Sequence, residues 1–174
     1  MTEPTASEVE VQERIVDWCE LITGLTTIKN HQDGDRPAGS YLMVNMLTGP
    51  RDVRFLPAAI EYAETGENNS EGNPQIEAIP VIESEWKLSI HSYRSDDVMA
   101  PLRKLRSISK MQGPQLGLNS LLSLHNLGTP NNVPVKINHK HEPRGHMTLF
   151  VRGYTRDGFL IDVIDSAPIT ATRI

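Results

Sequence analysis

A single cysteine among 174 residues leaves no partner for an internal disulfide, and nothing in cysteine usage points to an oxidising compartment. No stretch approaches the roughly 18 apolar residues in a row that a membrane helix requires. Net positive charge is also missing. The formal charge is -5, which argues against gripping nucleic acid through phosphate contacts. It is compatible with encircling DNA that must slide past. The opening "MTEPTASEVEVQE" is acidic and polar, with neither the apolar run of a secretory signal nor the arginines of a transit peptide, so folding in a cytoplasm is expected.

Motifs of catalysis are equally scarce. "GPQLG" and "RDG" lack the strand–loop–helix frame and the lysine of a phosphate loop. No serine sits in a GxSxG turn. Asp162 and Asp165 have no evident acid–base partner, and Asp96 and Asp97 are accounted for by a helix start. Cys19 lies beside an apolar helix stripe, where a thiol packs as a small hydrophobe.

What is present is an ordinary globular composition, 38% hydrophobic and 22% charged, at a length that can bury a core. Residues 1–7 are expected to be disordered and 8–174 to form one domain, with a flexible insertion at 56–83. From Ser7, Val11, Ile15, Trp18, Ile22 and Leu25 recur at steps of four and three, the apolar face of a helix. Ser7 suits the N-cap, Glu8, Glu10 and Glu13 suit the positive dipole end, and Gly24 suits the stop. "TTIKN" reads as a short strand and "HQDGDRPAGS" as a loop. "YLMVNMLTG" reads as a strand apolar on both faces, central in a sheet or covered by another chain.

Residues 56–78 begin with weak helical character and end in "GENNSEGNP", which has too little apolar surface to offset its ordering entropy. In "SEWKLSIHSY", Trp86, Leu88 and Ile90 alternate with polar residues, predicting a half-buried strand with His91 solvated. "SDDVMAPLRKLRSISKM" predicts a helix with Val98, Leu102, Leu105 and Ile108 inward, Asp97 at its cap and Pro101 in its first turn. Its cations gather toward the end, complementing the dipole. "GLNSLLSLHNLGTP" places Leu118, Leu121, Leu122 and His125 at helical spacing, with Gly128 and Pro130 closing it. "VPVKI" reads as a strand, and "MTLFVRGY" with "FLIDVID" as a hairpin about Asp157-Gly158. The class is α+β: a mostly antiparallel sheet with an N-terminal helix and a central helix pair on one face.

"HKHEPRGHM" (139–147) is the densest polar cluster. His139 and His141, two apart on a strand, point to one side, and His146 makes a third candidate metal ligand. No cysteine joins them, Glu142 faces away along a continuous strand, and no HExxH helix is available. No metal, cofactor or catalytic residue is expected; the segment is expected to lead into a core strand.

Taken together, "IVDWCELITGLTTI", "HQDGDRPAGSYLMVNMLTGPRDV", "WKLSIHSY" and "EPRGHMTLFVRGY" resemble the neck or tail terminator proteins of tailed bacteriophages. The matching positions are Trp18, Thr23-Gly24-Leu25, Gln32, Arg36-Pro37, Tyr41, Gly49-Pro50, Glu142 and Arg144. Similarity covers roughly 10–55 and 84–165. The resemblance implies a non-enzymatic virion protein assembled in the host cytoplasm. It implies a homo-oligomeric ring, commonly a hexamer, that caps the tail tube (and sheath, if present) and meets the head connector, with DNA passing through the lumen. A head-completion adaptor is the alternative in the same particle. A metal-dependent hydrolase on His139, His141 and His146 is the alternative outside it.

Overall fold

A computed structural model describes residues 7–30, 36–53, 59–70, 72–111, 118, 122–137, 140–156 and 158–162. The chain divides into two compact units, Met1–Phe55 with Glu83–Tyr154, and Leu56–Ile82 with Thr155–Ile174.

The first unit opens with α1 (Glu8–Thr23). Ser7 Oγ accepts a hydrogen bond from the Glu10 amide at 3.2 Å, supplying a first-turn donor with the partner it lacks inside the helix. Gly24 ends it in the left-handed region, φ 73°, with its N–H donating to the Glu20 carbonyl. Val11, Ile15, Trp18 and Cys19 are buried along the predicted stripe, and burial pushes the Cys19 thiol above its ordinary pKa, keeping it uncharged.

β1 (Thr26–Lys29) runs parallel to β2 (Tyr41–Asp52). β2 pairs antiparallel with β4 (Pro74–Tyr93), whose residues 84–93 carry this pairing. β9 (Arg144–Arg156) lies on the other side of β4, and β5 (Ser123–Leu127) follows, giving the order β1-β2-β4-β9-β5. The two-residue β6 (Asn131–Asn132) also pairs with β9. β7 (Val135–Ile137) and β8 (Lys140–Glu142) form a separate antiparallel pair.

α2 (Ala100–Ile108) has Pro101 in its first turn, and Asp97 Oδ1 accepts from the Met99 and Ala100 amides. One core joins the helices to a single side of this sheet: Trp18 and Ile15 from α1, Leu42 and Val44 from β2, Trp86, Leu88 and Ile90 from β4, Leu102 and Leu105 from α2, and Met147, Leu149 and Val151 from β9. Gly145 is required where β9 passes α2, since a Cβ there would stand 2.6 Å from the Val98 carbonyl oxygen and 2.9 Å from Leu102 Cδ1.

The second unit contains β3 (Ala59–Asn68), which pairs antiparallel with residues 74–81 of β4. β10 (Phe159–Asp162) pairs antiparallel with residues 75–78 of the same strand.

Several expectations are corrected. Of the second helix of the expected pair, residues 123–127 are β5, not helix, and Leu121 lies outside the described residues. The cause is a bulge between Leu124 and Asn126 that makes His125 the extra residue. Leu124 and Leu127, three apart across the bulge, therefore both pack against the core, and His125, read as part of a helical stripe, is the bulged residue. Residues 59–68 are strand where weak helical character was expected. β10 joins β4, so among the described residues it does not form the hairpin expected with β9; Asp157 lies outside them. The strand at Trp86 is covered on both sides, with Glu85 and Ser89 buried as well as Trp86, Leu88 and Ile90.

Candidate functional site

Strand alternation sorts the first unit's sheet into two faces. Leu42, Val44, Trp86, Leu88, Ile90, Met147, Leu149 and Val151 take the core face. The intervening residues take the other: Tyr41 and Met43 of β2, Glu85, Lys87, Ser89, His91 and Tyr93 of β4, and Arg144, His146, Phe150 and Arg152 of β9. Register places Tyr41 opposite Tyr93 and Met43 opposite His91. This second face carries the polar chemistry of the unit.

At one end, Tyr41 and Tyr93 stack with ring centroids 4.9 Å apart and planes 10° from parallel. The Arg144 guanidinium carbon lies 4.6 Å from the Tyr93 centroid, within cation–π range, and Arg144 Nη2 is 3.9 Å from Glu142. Arg94 closes the far side. Its Nη1 donates to the Pro37 carbonyl at 2.5 Å, its own carbonyl accepts from Ser40 Oγ at 2.8 Å, and its Cζ lies 5.9 Å from the Tyr41 ring. Arg94 has φ 55°, a left-handed conformation that costs a non-glycine residue about 1 kcal/mol. These contacts hold it there and fasten residues 37–40 to the strand end.

One step along the face, His91 and His146 approach to 4.9 Å between centroids, and His91 Nε2 meets Ser89 Oγ at 3.2 Å. Burial lowers the His91 pKa to about 4, with the charges of His146 and Arg144 acting in the same direction. At neutral pH this imidazole is therefore uncharged. The expectation that His91 is solvated is corrected: residues on neighbouring strands, invisible to a one-strand pattern, leave it half-buried. Tyr93 is raised, chiefly by burial, with Arg144 opposing.

At the other end the Glu85 carboxylate, only 3% exposed, receives Arg51 and Arg152. Arg51 Nε and Arg152 Nε donate to its two oxygens, each at 3.0 Å, and Arg51 Nη2 donates as well. Burial by itself would raise this carboxyl; the hydrogen bonds from Arg51 and Arg152 outweigh it and hold the pKa below the ordinary value. An open cleft of about 650 Å³ lies here, lined by Thr48 to Arg51, Glu85, Lys87 and Phe150.

The structure brings Tyr41, Glu142 and Arg144, widely spaced in the sequence, around Tyr93, and sets Pro37 against the adjacent Arg94. Arg36 is exposed and contributes a favourable charge to the Tyr93 phenolate. Trp18 stands apart in the core, and Gly49-Pro50 lies at a β2 irregularity. Gln32 and His139 lie outside the described residues, as does the His141 side chain. His146 meets His91. Among the described residues no three His, Cys, Asp or Glu side chains converge as metal ligands. Sequence reasoning missed Tyr93, Arg94, Glu85, Arg51 and Arg152. The available signal was the run of polar or aromatic side chains at every odd position from 85 to 93.

This face binds itself together through stacked rings, cation–π contacts and a buried carboxylate clamp, the chemistry of a structural scaffold. The class is an α+β protein with, among the described residues, two helices and a predominantly antiparallel sheet. The family model for phage neck terminator proteins matches residues 9–173, and the chain belongs to that family. It is a structural protein of the bacteriophage neck and hence a virion component. The match runs through residues 56–83, where the resemblance read from the sequence breaks off. No curated protein matches the chain. Among the described residues, no helix is long and apolar enough to cross a membrane.

Proposed function

We propose that this chain is the tail terminator itself: a non-enzymatic subunit that associates with its own copies into a closed ring, a hexamer, on the last ring of the tail tube. The ring stops tube growth, and sheath growth where a sheath exists, offers its opposite surface to the head connector, and lets DNA pass through its lumen. The carrying observation is β3. Among the described residues its outer edge has no strand partner, and Ile60 and Tyr62 on it are 51% and 65% exposed. An open edge with apolar side chains is a liability for a solitary protein and a resource for one that meets neighbours. A ring needs contacts between two different patches of the same chain, closed by rotation. Family membership supplies the setting, the neck.

Arg36, Pro37, Tyr41, Glu142 and Arg144 serve in this reading as architecture, holding the ends of β2, β4 and β9 in the form a neighbour meets. His139, His141 and His146 bind no metal.

Native mass spectrometry and electron microscopy of the purified protein, alone and with tail tubes lacking a terminator, test the reading. Closed rings, free or on tube ends, are expected. A protein that stays monomeric when concentrated and never decorates tube ends overturns it, and twelve-fold assembly on a portal would assign it to the head side instead.

A further inference from the structure

Residues 56–82 contain five glutamates and no lysine, arginine or histidine. Residues 103–110, "RKLRSISK", contain four cations and no acid. Of the described acids in the first group, Glu61 has a partner in Arg156 at 3.5 Å, while Glu64 and Glu67 are exposed. Of the cations, Arg103 pairs with Asp97 at 2.5 Å, and Lys104 and Lys110 are exposed. Complementing the helix dipole explains a cation in the last turn, which here is Arg106. It does not explain Lys104, at the middle of α2, before the last turn.

The apolar side chains follow the same division. On β3, Ile60, Tyr62 and Glu64 share one face, opposite Pro80, Ala78 and Ile76 of β4. On α2, Leu102 and Leu105 are buried, while Arg103, Lys104 and Ser107 face outward, with Lys110 and the exposed Met111 just beyond. Ile60 to Glu64 spans about 13 Å at strand rise, and Lys104 lies about 6 Å along the helix from Ile108, with Lys110 and Met111 in the turn that follows. Each surface thus sets exposed apolar and charged side chains side by side, with opposite signs.

We propose that the acidic β3–β4 ribbon of one copy docks across the outward face of α2 of the next copy, with Glu64 and Glu67 meeting Lys104 and Lys110 and Tyr62 packing on Met111. The contact is head-to-tail, so each copy spends one patch on each neighbour, as a ring demands. The occupant is a second copy because the complementary charge is carried by the same chain. This proposal rests on the ring-forming reading and adds the surfaces that make it. Such exposed pairs steer association, and salt weakens them, screening them almost wholly beyond a Debye length of about 8 Å at physiological ionic strength.

The test reverses each patch: Glu64→Lys with Glu67→Lys in one variant, Lys104→Glu with Lys110→Glu in the other. Sedimentation velocity over a concentration series reads assembly, with circular dichroism confirming the fold. Each variant alone is expected to need roughly tenfold more protein for half-assembly, a product of modest pairwise terms. An equimolar mixture should assemble within about threefold of the natural protein, because each reversed ribbon then meets a reversed helix. Carbodiimide cross-linking of the natural protein, with half the copies isotope-labelled, is expected to join Glu64 or Glu67 to Lys104 or Lys110 across labels.

If either reversal leaves assembly unchanged, or the mixture is no better than its components, the contact is overturned while rings of the natural protein leave the terminator reading standing. Cross-links confined within one label overturn it too. If the helix reversal abolishes DNA retention and spares assembly, that face of α2 belongs to nucleic acid. If the natural protein never associates, both readings fall together.

Discussion

Trp86 and Tyr62 are both large aromatic side chains on strands, one in each compact unit. Trp86 is fully buried; Tyr62 is 65% exposed. The same contrast holds for charge. Glu85 in the first unit is enclosed by two arginines, whereas Glu64 and Glu67 in the second stand in solvent. Aromatic rings and glutamates thus change role with place. In the first unit they determine whether the fold exists. In the second they cost the fold little and remain available to something outside it.

The largest test of this contrast is cavity formation. Trp86→Ala and Trp18→Ala should each remove about 3–5 kcal/mol of stability, measured by urea unfolding, because neither side chain retains solvent contact to soften the loss. An effect under about 1 kcal/mol would mean that the core is not the closed cluster joining α1, α2 and the sheet.

Next comes the carboxylate clamp. Glu85→Ala should cost about 2–3 kcal/mol, since it strips Arg51 and Arg152 of charge-assisted partners beside a buried position. Glu64→Ala should be close to neutral. Acid separates two contributions within the first unit. His91 has a folded pKa lowered from 6.5 to about 4, so the folded state binds fewer protons than the unfolded chain between those values. Its contribution is complete above pH 6.5 and is lost as pH falls through about 4. Glu85, also lowered, from 4.5, keeps its contribution above pH 4.5 and loses it below. Thermal melts should therefore decline in two stages. His91→Gln should flatten the first, and Glu85→Gln the second. A single decline unaffected by His91→Gln would show that the imidazole is solvated after all.

A smaller effect is expected at the start of α1. Ser7→Ala removes the side-chain acceptor for the Glu10 amide and should lower stability by about 1 kcal/mol, with Ser7→Asp restoring it.

How much of this was legible depended on whether the signal was local. α1 was readable from end to end, because cap, stripe and stop all lie within nineteen consecutive positions. α2 was readable for the same reason, including the toleration of Pro101, except at its start: the N-cap is Met99, not the expected Asp97, whose carboxylate instead accepts from the Met99 and Ala100 amides in the turn before the helix. β5 was not, since one bulged histidine converts a period of two into a spacing of three. Nor could one strand reveal that its polar side is covered, as with Ser89 and His91. Of the candidate site, resemblance supplied Pro37, Tyr41, Glu142 and Arg144. The residues they gather around, Tyr93 and Arg94, emerged only from the pairing of β2, β4 and β9. Partners come from strands distant in sequence, and register is set by the whole sheet.

The finest prediction is an expected near-absence. Tyr62→Ser should change monomer stability by less than about 0.5 kcal/mol, because a ring already 65% exposed has little burial to forfeit. The same substitution should weaken self-association, which gives the side chain its apolar surroundings. Urea unfolding at a protein concentration below assembly, set beside sedimentation above it, measures the two effects separately. A loss of several kcal/mol in the monomer would place Tyr62 with Trp86, in the fold. A change confined to association would assign the second unit's exposed ribbon to contact with neighbours, where its glutamates and the β3 edge, unpaired among the described residues, also point.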